Sequence, residues 1–404
     1  MSSVSSKFSV SGIGKTGVNS MPEIGLNGAT NNSRLLFCIG FYLLYAKVFS
    51  SLTTLFTLPQ LADNTLLVSG SAFLFLHCIK NLDRYKGRVV PLTISLIVGL
   101  YVYMATGETA PFIFILVAVS ASTAGDGKWL IGLWIKVTGA LIAFLAVAYI
   151  IVLIGDPDSL DVVYRSDDGV IARTRYSFFF RHPNLVSALC MMLICGYLYL
   201  RSGRITGVTV VGSILLSAIV FMFTDSRTSF LLSCLAPFLF LIQQRTGFFG
   251  RRRGRRLMLA LPVMLFILTL LVSGPLYSST LGDLLTGRVW LWHVCFDNQG
   301  VSFFGQPFQS VSAVTLYGYT GTASTLDSFY ASSLFVFGLL FCAVFCSFYW
   351  SCLMSLKSTL APEYCILLVM LLFGITEVHV LNLVASPGML LLGEGLINKH
   401  ALNS

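Results

Sequence analysis

Apolar runs of membrane-spanning length recur along almost the whole chain, separated by polar turns, and that rhythm decides what the chain can fold into. A helix crossing the hydrocarbon core of a bilayer needs roughly 20 mostly apolar residues, fewer where flanking groups snorkel to the interface. The sequence predicts twelve candidate spans: Leu35–Leu58, Thr65–Ile79, Val89–Ala105, Ala110–Thr123, Trp129–Ile154, Leu185–Leu200, Ile205–Thr224, Ser229–Gln243, Leu257–Leu276, Phe329–Trp350, Tyr364–Thr376 and Val384–Ile397. Several are short, so ten to twelve is the expected range. Hydrophobic residues make up 56% of the chain and charged ones 11%, against about 25% charged in soluble domains. No single aqueous core could hide that much apolar surface. The expected fold class is therefore an all-α polytopic integral membrane protein. Residues 1–33, rich in Ser, Gly and Asn, read as a disordered cytoplasmic tail, and 34–404 as a single transmembrane domain.

The net charge of +9 would suggest nucleic acid in a soluble protein, but its distribution is that of a topology signal. Short loops after alternate spans carry the lysines and arginines, from Arg84 and Arg88 through Arg201 and Arg204 to the run Arg251, Arg252, Arg253, Arg255 and Arg256. Positive loops stay in the cytoplasm. Both termini are thus expected inside, and two long loops, 155–184 and 277–328, outside. Nine of the ten cysteines fall in apolar stretches, with Cys295 read as a loop residue. Neither a disulfide framework nor a paired metal spacing is evident.

Polar, titratable residues gather at the predicted outer ends of the helices. Arg181, His182 and Asn184 open the sixth span, and Asp225, Ser226 and Arg227 form a tight turn between the seventh and eighth. Arg288 and His293 lie in the second long loop, Asp327 closes it, and Glu377 and His379 end the eleventh span. Ionisable groups at a membrane boundary usually face a cavity or a partner. Each also has a plain structural reading: Arg227 pairing with Asp225, Arg288 solvated in its loop, His182 capping a helix beside Pro183. Converging arginines suit a phosphate or diphosphate, because guanidinium grips such oxygens bidentately and keeps its charge. A nearby carboxylate or imidazole suits a general base for a hydroxyl. Asp156 and Asp158, with Asp161 behind, could hold a divalent cation, but a solvated acidic helix end is the preferred reading and no metal is expected.

Four segments then resemble the Wzy-type polysaccharide polymerases, a family grouped with the O-antigen ligases. They are RHPNLVSA from Arg181, FTDSRTSFLL from Phe223, LLTGRVWLW from Leu284 with FFGQPF from Phe303, and LDSFYASSLFVFGLL from Leu326. The resemblance covers roughly the second half of the chain. Where the ligases tend to carry a His-Asn pair, Asp327 and Ser328 stand here, which favours a polymerase. The resemblance implies a GT-C-like architecture and transfer of a glycan from undecaprenyl diphosphate to a sugar hydroxyl of another lipid-linked repeat unit, at the outer face of a bacterial inner (plasma) membrane. It implies that Arg227 and Arg288, with Arg181, bind the diphosphate. Asp327 and His182 would supply acid/base chemistry, with Glu377 and His379 behind them. No soluble cofactor is implied, and a Wzz-type chain-length regulator is the expected partner. The alternatives are an O-antigen ligase with a lipid A-core acceptor and, from another class, a transporter or flippase. Against the last, no clear internal repeat is found, and the polar residues cluster at one face rather than midway.

Overall fold

In a computed structural model of the chain, residues 31–85, 87–155, 162–167, 170–278, 288–314, 320–323 and 326–397 are described. Residues 1–30 of the expected tail and the acidic group Asp156, Asp158 and Asp161 lie outside them. The architecture is helical: α1 Asn31–Leu52, α2 Gln60–Lys80, α3 Val89–Thr106, α4 Ala110–Ala124, α5 Gly127–Gly155, α6 Pro183–Leu200, α7 Gly207–Thr224, α8 Arg227–Thr246 and α9 Arg252–Ser273. The second half adds α10 Arg288–Gln299, α11 Phe329–Ser332, α12 Leu339–Ser355, α13 Glu363–Phe373 and α14 Gly388–Leu392. Seven of these helices are long and apolar enough to cross a membrane, and three shorter apolar ones accompany them. The chain is an α-helical, polytopic membrane protein.

Two layers separate by burial. Helices α2, α3, α5, α7 and α9 expose rows of Leu, Ile, Val and Phe, the surface that lipid tails solvate. In contrast, every residue of α4 from Pro111 to Ala124 is buried, as is most of α6. Helices in lipid associate by close packing rather than by expulsion of water, so small residues mark their contacts. At the α1–α2 crossing, a Cβ on Gly40 would stand 2.9 Å from the Gly70 carbonyl oxygen, so glycine sets how near the two backbones come.

The eleventh predicted span is a short helix, and the twelfth is corrected. Helix α13 has only 11 residues, and beyond it lie a 3-10 turn at Val378–Leu381, the five-residue α14 and a second 3-10 turn at Gly393–Leu396. Irregular backbone at membrane depth survives only where protein surrounds it. Here Gly393 lies against the Ala118 carbonyl of α4 and Gly395 against the Ser351–Cys352 backbone of α12, each so close that a Cβ would fall 2.2 Å from a backbone atom. The Gly395 carbonyl accepts from the Arg88 guanidinium and from Ser351 Oγ, which satisfies an oxygen the broken helix leaves free. The hydrophobicity of Val384–Ile397 thus reports burial in protein rather than a crossing in lipid.

The tenth predicted span is broken too. A π turn, Ser333–Phe337, follows α11 and ends at Gly338, whose φ is 89°. The extended segment from Ser302 runs alongside, with the Gln306 amide donating to Val336 O at 2.8 Å and Leu339 N–H to Ser302 O at 2.9 Å. A Cβ on Gly338 would lie 2.5 Å from Gly305 N.

The two long loops also carry structure that an all-α reading omits. Antiparallel hairpins β1 (Val162–Asp167) with β2 (Val170–Tyr176), and β3 (Val311–Val314) with β4 (Thr320–Ala323), fall within them. Helix α10 lies in the second loop, and Cys295, read as a loop residue, is fully buried on it. All ten cysteines are free.

Candidate functional site

Helices α6, α8 and α10 begin around one cavity of about 450 Å³, lined by residues of each first turn. The first backbone amides of any helix lack an intrahelical acceptor and carry the positive end of its dipole. Three such ends at one cavity make an anion-attracting floor before any side chain is counted.

The α6 terminus is set by a strained approach. Phe178 and Phe179 take φ values of 50° and 63°, a left-handed conformation that costs a bulky residue about 1–3 kcal/mol. The turn is held because the Phe179 carbonyl accepts from Thr53 Oγ1 at 2.7 Å and from the Thr54 amide at 2.7 Å, while Arg181 N–H donates to Leu52 O at 2.9 Å. The chain is thereby fixed to the end of α1. His182 then caps α6, its Nδ1 accepting from the Asn184 amide at 3.2 Å, with Pro183 in the first turn where a missing N–H is harmless. Between α7 and α8 the turn is only Asp225 and Ser226. Asp225 takes the left-handed conformation, φ 46°, which Asp tolerates better than most residues.

A connected chain of polar contacts crosses the cavity. From β2, Arg175 Nε donates to Thr224 O at 2.8 Å, and its Nη2 to Asn184 Oδ1 at 2.5 Å. Arginine can only donate, so Asn184 presents its oxygen to Arg175 and its NH₂ to Glu377, reaching Oε1 at 3.2 Å. Arg288, the first residue of α10, lies 3.6 Å from Glu377 Oε1 and 3.5 Å from Asp327 Oδ2. The two carboxylates on Arg288 differ sharply in setting: the Glu377 side chain is 8% exposed and that of Asp327 56%. Burial pushes the Glu377 carboxyl up to about 7, against the opposing pull of Arg288. The His182 imidazole is held below its ordinary range by desolvation and then by the charge of Arg175.

The sequence-predicted residues divide on this geometry. His182, Arg227, Arg288, Asp327 and Glu377 all line the cavity, with Arg227 exposed at the first residue of α8. Arg181 is exposed but not among the lining residues. His379 also lies off the cavity, in the 3-10 turn after Glu377, with its imidazole lowered to about 4 by burial and then by neighbouring His182. It is neutral at neutral pH. His293 stacks on Tyr277 at 3.8 Å, with Nδ1 2.8 Å from Ser273 O and Nε2 3.3 Å from Asp297. That arrangement docks α10 on the end of α9.

Sequence reasoning missed Arg175 and Trp292, both of which line the cavity. Nothing in the loop's pattern singles out Arg175 from Arg165, Arg173 or Arg181; the hairpin chooses it. Trp292 stands one helical turn after Arg288, a spacing that would have pointed to it had residues 288–299 been read as a helix.

Comparison with known proteins gives no match to this chain, whether to family models, to curated proteins or to solved structures.

Proposed function

We propose that the protein is a polysaccharide polymerase that transfers a glycan from undecaprenyl diphosphate to a sugar hydroxyl of another lipid-linked repeat unit, at the outer face of a bacterial cytoplasmic membrane. The observation that carries this reading is one cavity in which a buried carboxyl titrating near neutrality sits beside arginines and three helix N-termini. The cationic groups suit a diphosphate. Glu377 suits a hydroxyl, because a general base works best with a pKa near the operating pH. The basic loops, which lie at helix ends opposite the cavity, support an outward orientation.

In the proposed reaction the acceptor hydroxyl oxygen forms a bond to the anomeric carbon of the donor sugar. The bond from that carbon to the diphosphate oxygen breaks, and the diphosphate leaves with the electron pair. Glu377 Oε takes the hydroxyl proton. Arg288 and Arg227, with the helix ends, offset the charge that develops on the leaving group. The base role passes from Asp327 and His182 to Glu377 on this reading. Asp327 is solvated, and the His182 Nδ1 is occupied by its cap.

The test is to incubate the purified protein with polyprenyl-diphosphate-linked repeat units and resolve the products. A ladder of multiples of the repeat is expected from the wild type and single units from Arg288→Ala. An undiminished ladder from that variant would remove Arg288 from the reaction. Glycan appearing only on added lipid A-core would convert the reading to a ligase.

A further inference from the structure

The polar chain through Arg175, Asn184, Glu377 and Arg288 leaves two polar atoms of the cavity wall unexplained. Trp292 is 4% exposed, and its Nε1 is buried with no hydrogen-bond partner. Thr376 Oγ1 is likewise buried without one. Both residues line the cavity. Buried polar groups in folded proteins are nearly always paired, so two orphans on one cavity wall call for a specific occupant.

Their positions say which occupant. Thr376 is the immediate neighbour of Glu377, and Trp292 lies four residues after Arg288 on α10, hence on the same helix face. Each member of the Arg288–Glu377 pair is therefore flanked by a side chain with an unused polar atom. An indole N–H only donates, whereas a threonine hydroxyl both donates and accepts. A diphosphate could accept from both atoms, but it is already served by arginines and helix ends. Neutral hydroxyls that accept from one group and exchange with the other fit both atoms, and an indole beside them adds apolar area for the face of a sugar ring.

We propose that Trp292 and Thr376 form a sugar-binding subsite that holds the acceptor ring by its hydroxyls, placing the reacting one beside Glu377. This assignment rests on the polymerase reading and extends it to the acceptor.

Trp292→Phe and Thr376→Val remove one polar atom each while keeping most of the side-chain volume. With repeat units extracted from producing cells as the probe, each variant is expected to raise KM for the acceptor about tenfold. The change in KM should exceed any change in kcat. Thermal melting in detergent should be unchanged or slightly raised, because no native partner is lost. Thr376→Val, the closer isostere, carries the test if Trp292→Phe does not reach the membrane. Unchanged acceptor KM in Thr376→Val would overturn the subsite, as would a lowered melting temperature with KM intact, which would mark the hydroxyl as structural. If the wild type itself makes no polymer, it is the polymerase reading that fails. A wild type that polymerises alongside indifferent variants removes only the subsite.

Discussion

The two ends of the helical bundle use arginine in opposite ways. At the end where α8 closes and α9 begins, Arg245, Arg251, Arg252, Arg253 and Arg256 are exposed, and only the half-buried Arg255 reaches into the fold, donating to the Leu353 and Met354 carbonyls that end α12. At the cavity end, Arg175 and Arg288 are drawn inward and each holds a second side chain in place. The first group has the pattern of a charge that acts by number, the kind that keeps a loop on one side of a membrane. The second acts by position, since moving either guanidinium would change what surrounds Glu377. The same residue type carries topology at one end and a candidate site at the other.

Five variants would break or sharpen that contrast. The largest effect is expected from Glu377→Gln. The amide keeps the shape but cannot take a proton, so polymerisation should fall by about 10²–10⁴-fold, read as turnover of lipid-linked repeats. Its pH behaviour is equally specific. The wild-type rate should rise through about pH 7 as Glu377 ionises, and that acid limb should vanish in the variant. Stability is linked in the opposite sense. The folded state keeps the Glu377 proton up to about 7, while an unfolded chain releases it near 4.5. Folding stability should therefore drop as pH rises from about 4.5 to about 7, and Glu377→Gln should remove that slope.

Next, Arg288→Ala should lower turnover by about 10²-fold or more, with the protein still inserted, because a preorganised charge facing the leaving group is lost. Arg175→Ala and Asp327→Asn form a smaller, paired test. Arg175 and the Asn184 bond it positions both lower the Glu377 carboxyl, whereas the Asp327 charge raises it. The acid limb should move to higher pH in Arg175→Ala and to lower pH in Asp327→Asn, with turnover at the optimum reduced about tenfold or less. Abolished activity in Asp327→Asn would return the base role to Asp327. The smallest effect is expected at the other end: the double variant of Arg252→Ala and Arg253→Ala should keep polymer length and turnover within about twofold. A larger drop in turnover there would end the division of labour.

How much of the site could be read in advance follows from the same contrast. His182, Arg227, Asp327 and Glu377 were legible because each interrupts or borders an apolar run, where an ionisable group has few reasons to be. Arg175 was not, because it lies in a hairpin among other arginines, and only strand pairing and the strained Phe178–Phe179 turn bring it to Asn184. Arg181, adjacent to His182 and equally prominent in sequence, falls outside the cavity because its backbone is tied to α1 at Leu52.

The sequence by itself determined that this chain lives in a bilayer, roughly where its first nine helices run, and which ends carry the basic loops. Those properties are sums over many residues, and sums survive ignorance of any single contact. Only the tertiary structure decided that the apolar C-terminal stretch folds inward as a broken, protein-buried segment rather than a crossing. Hydrophobicity cannot distinguish being surrounded by lipid from being surrounded by helices. It also decided that Glu377 is removed from water while Asp327, on the same arginine, is not. Burial of a single side chain depends on what other parts of the chain pack over it, and for Glu377 those parts come from α6, α10 and the end of α13, nearly 200 residues apart at the extremes.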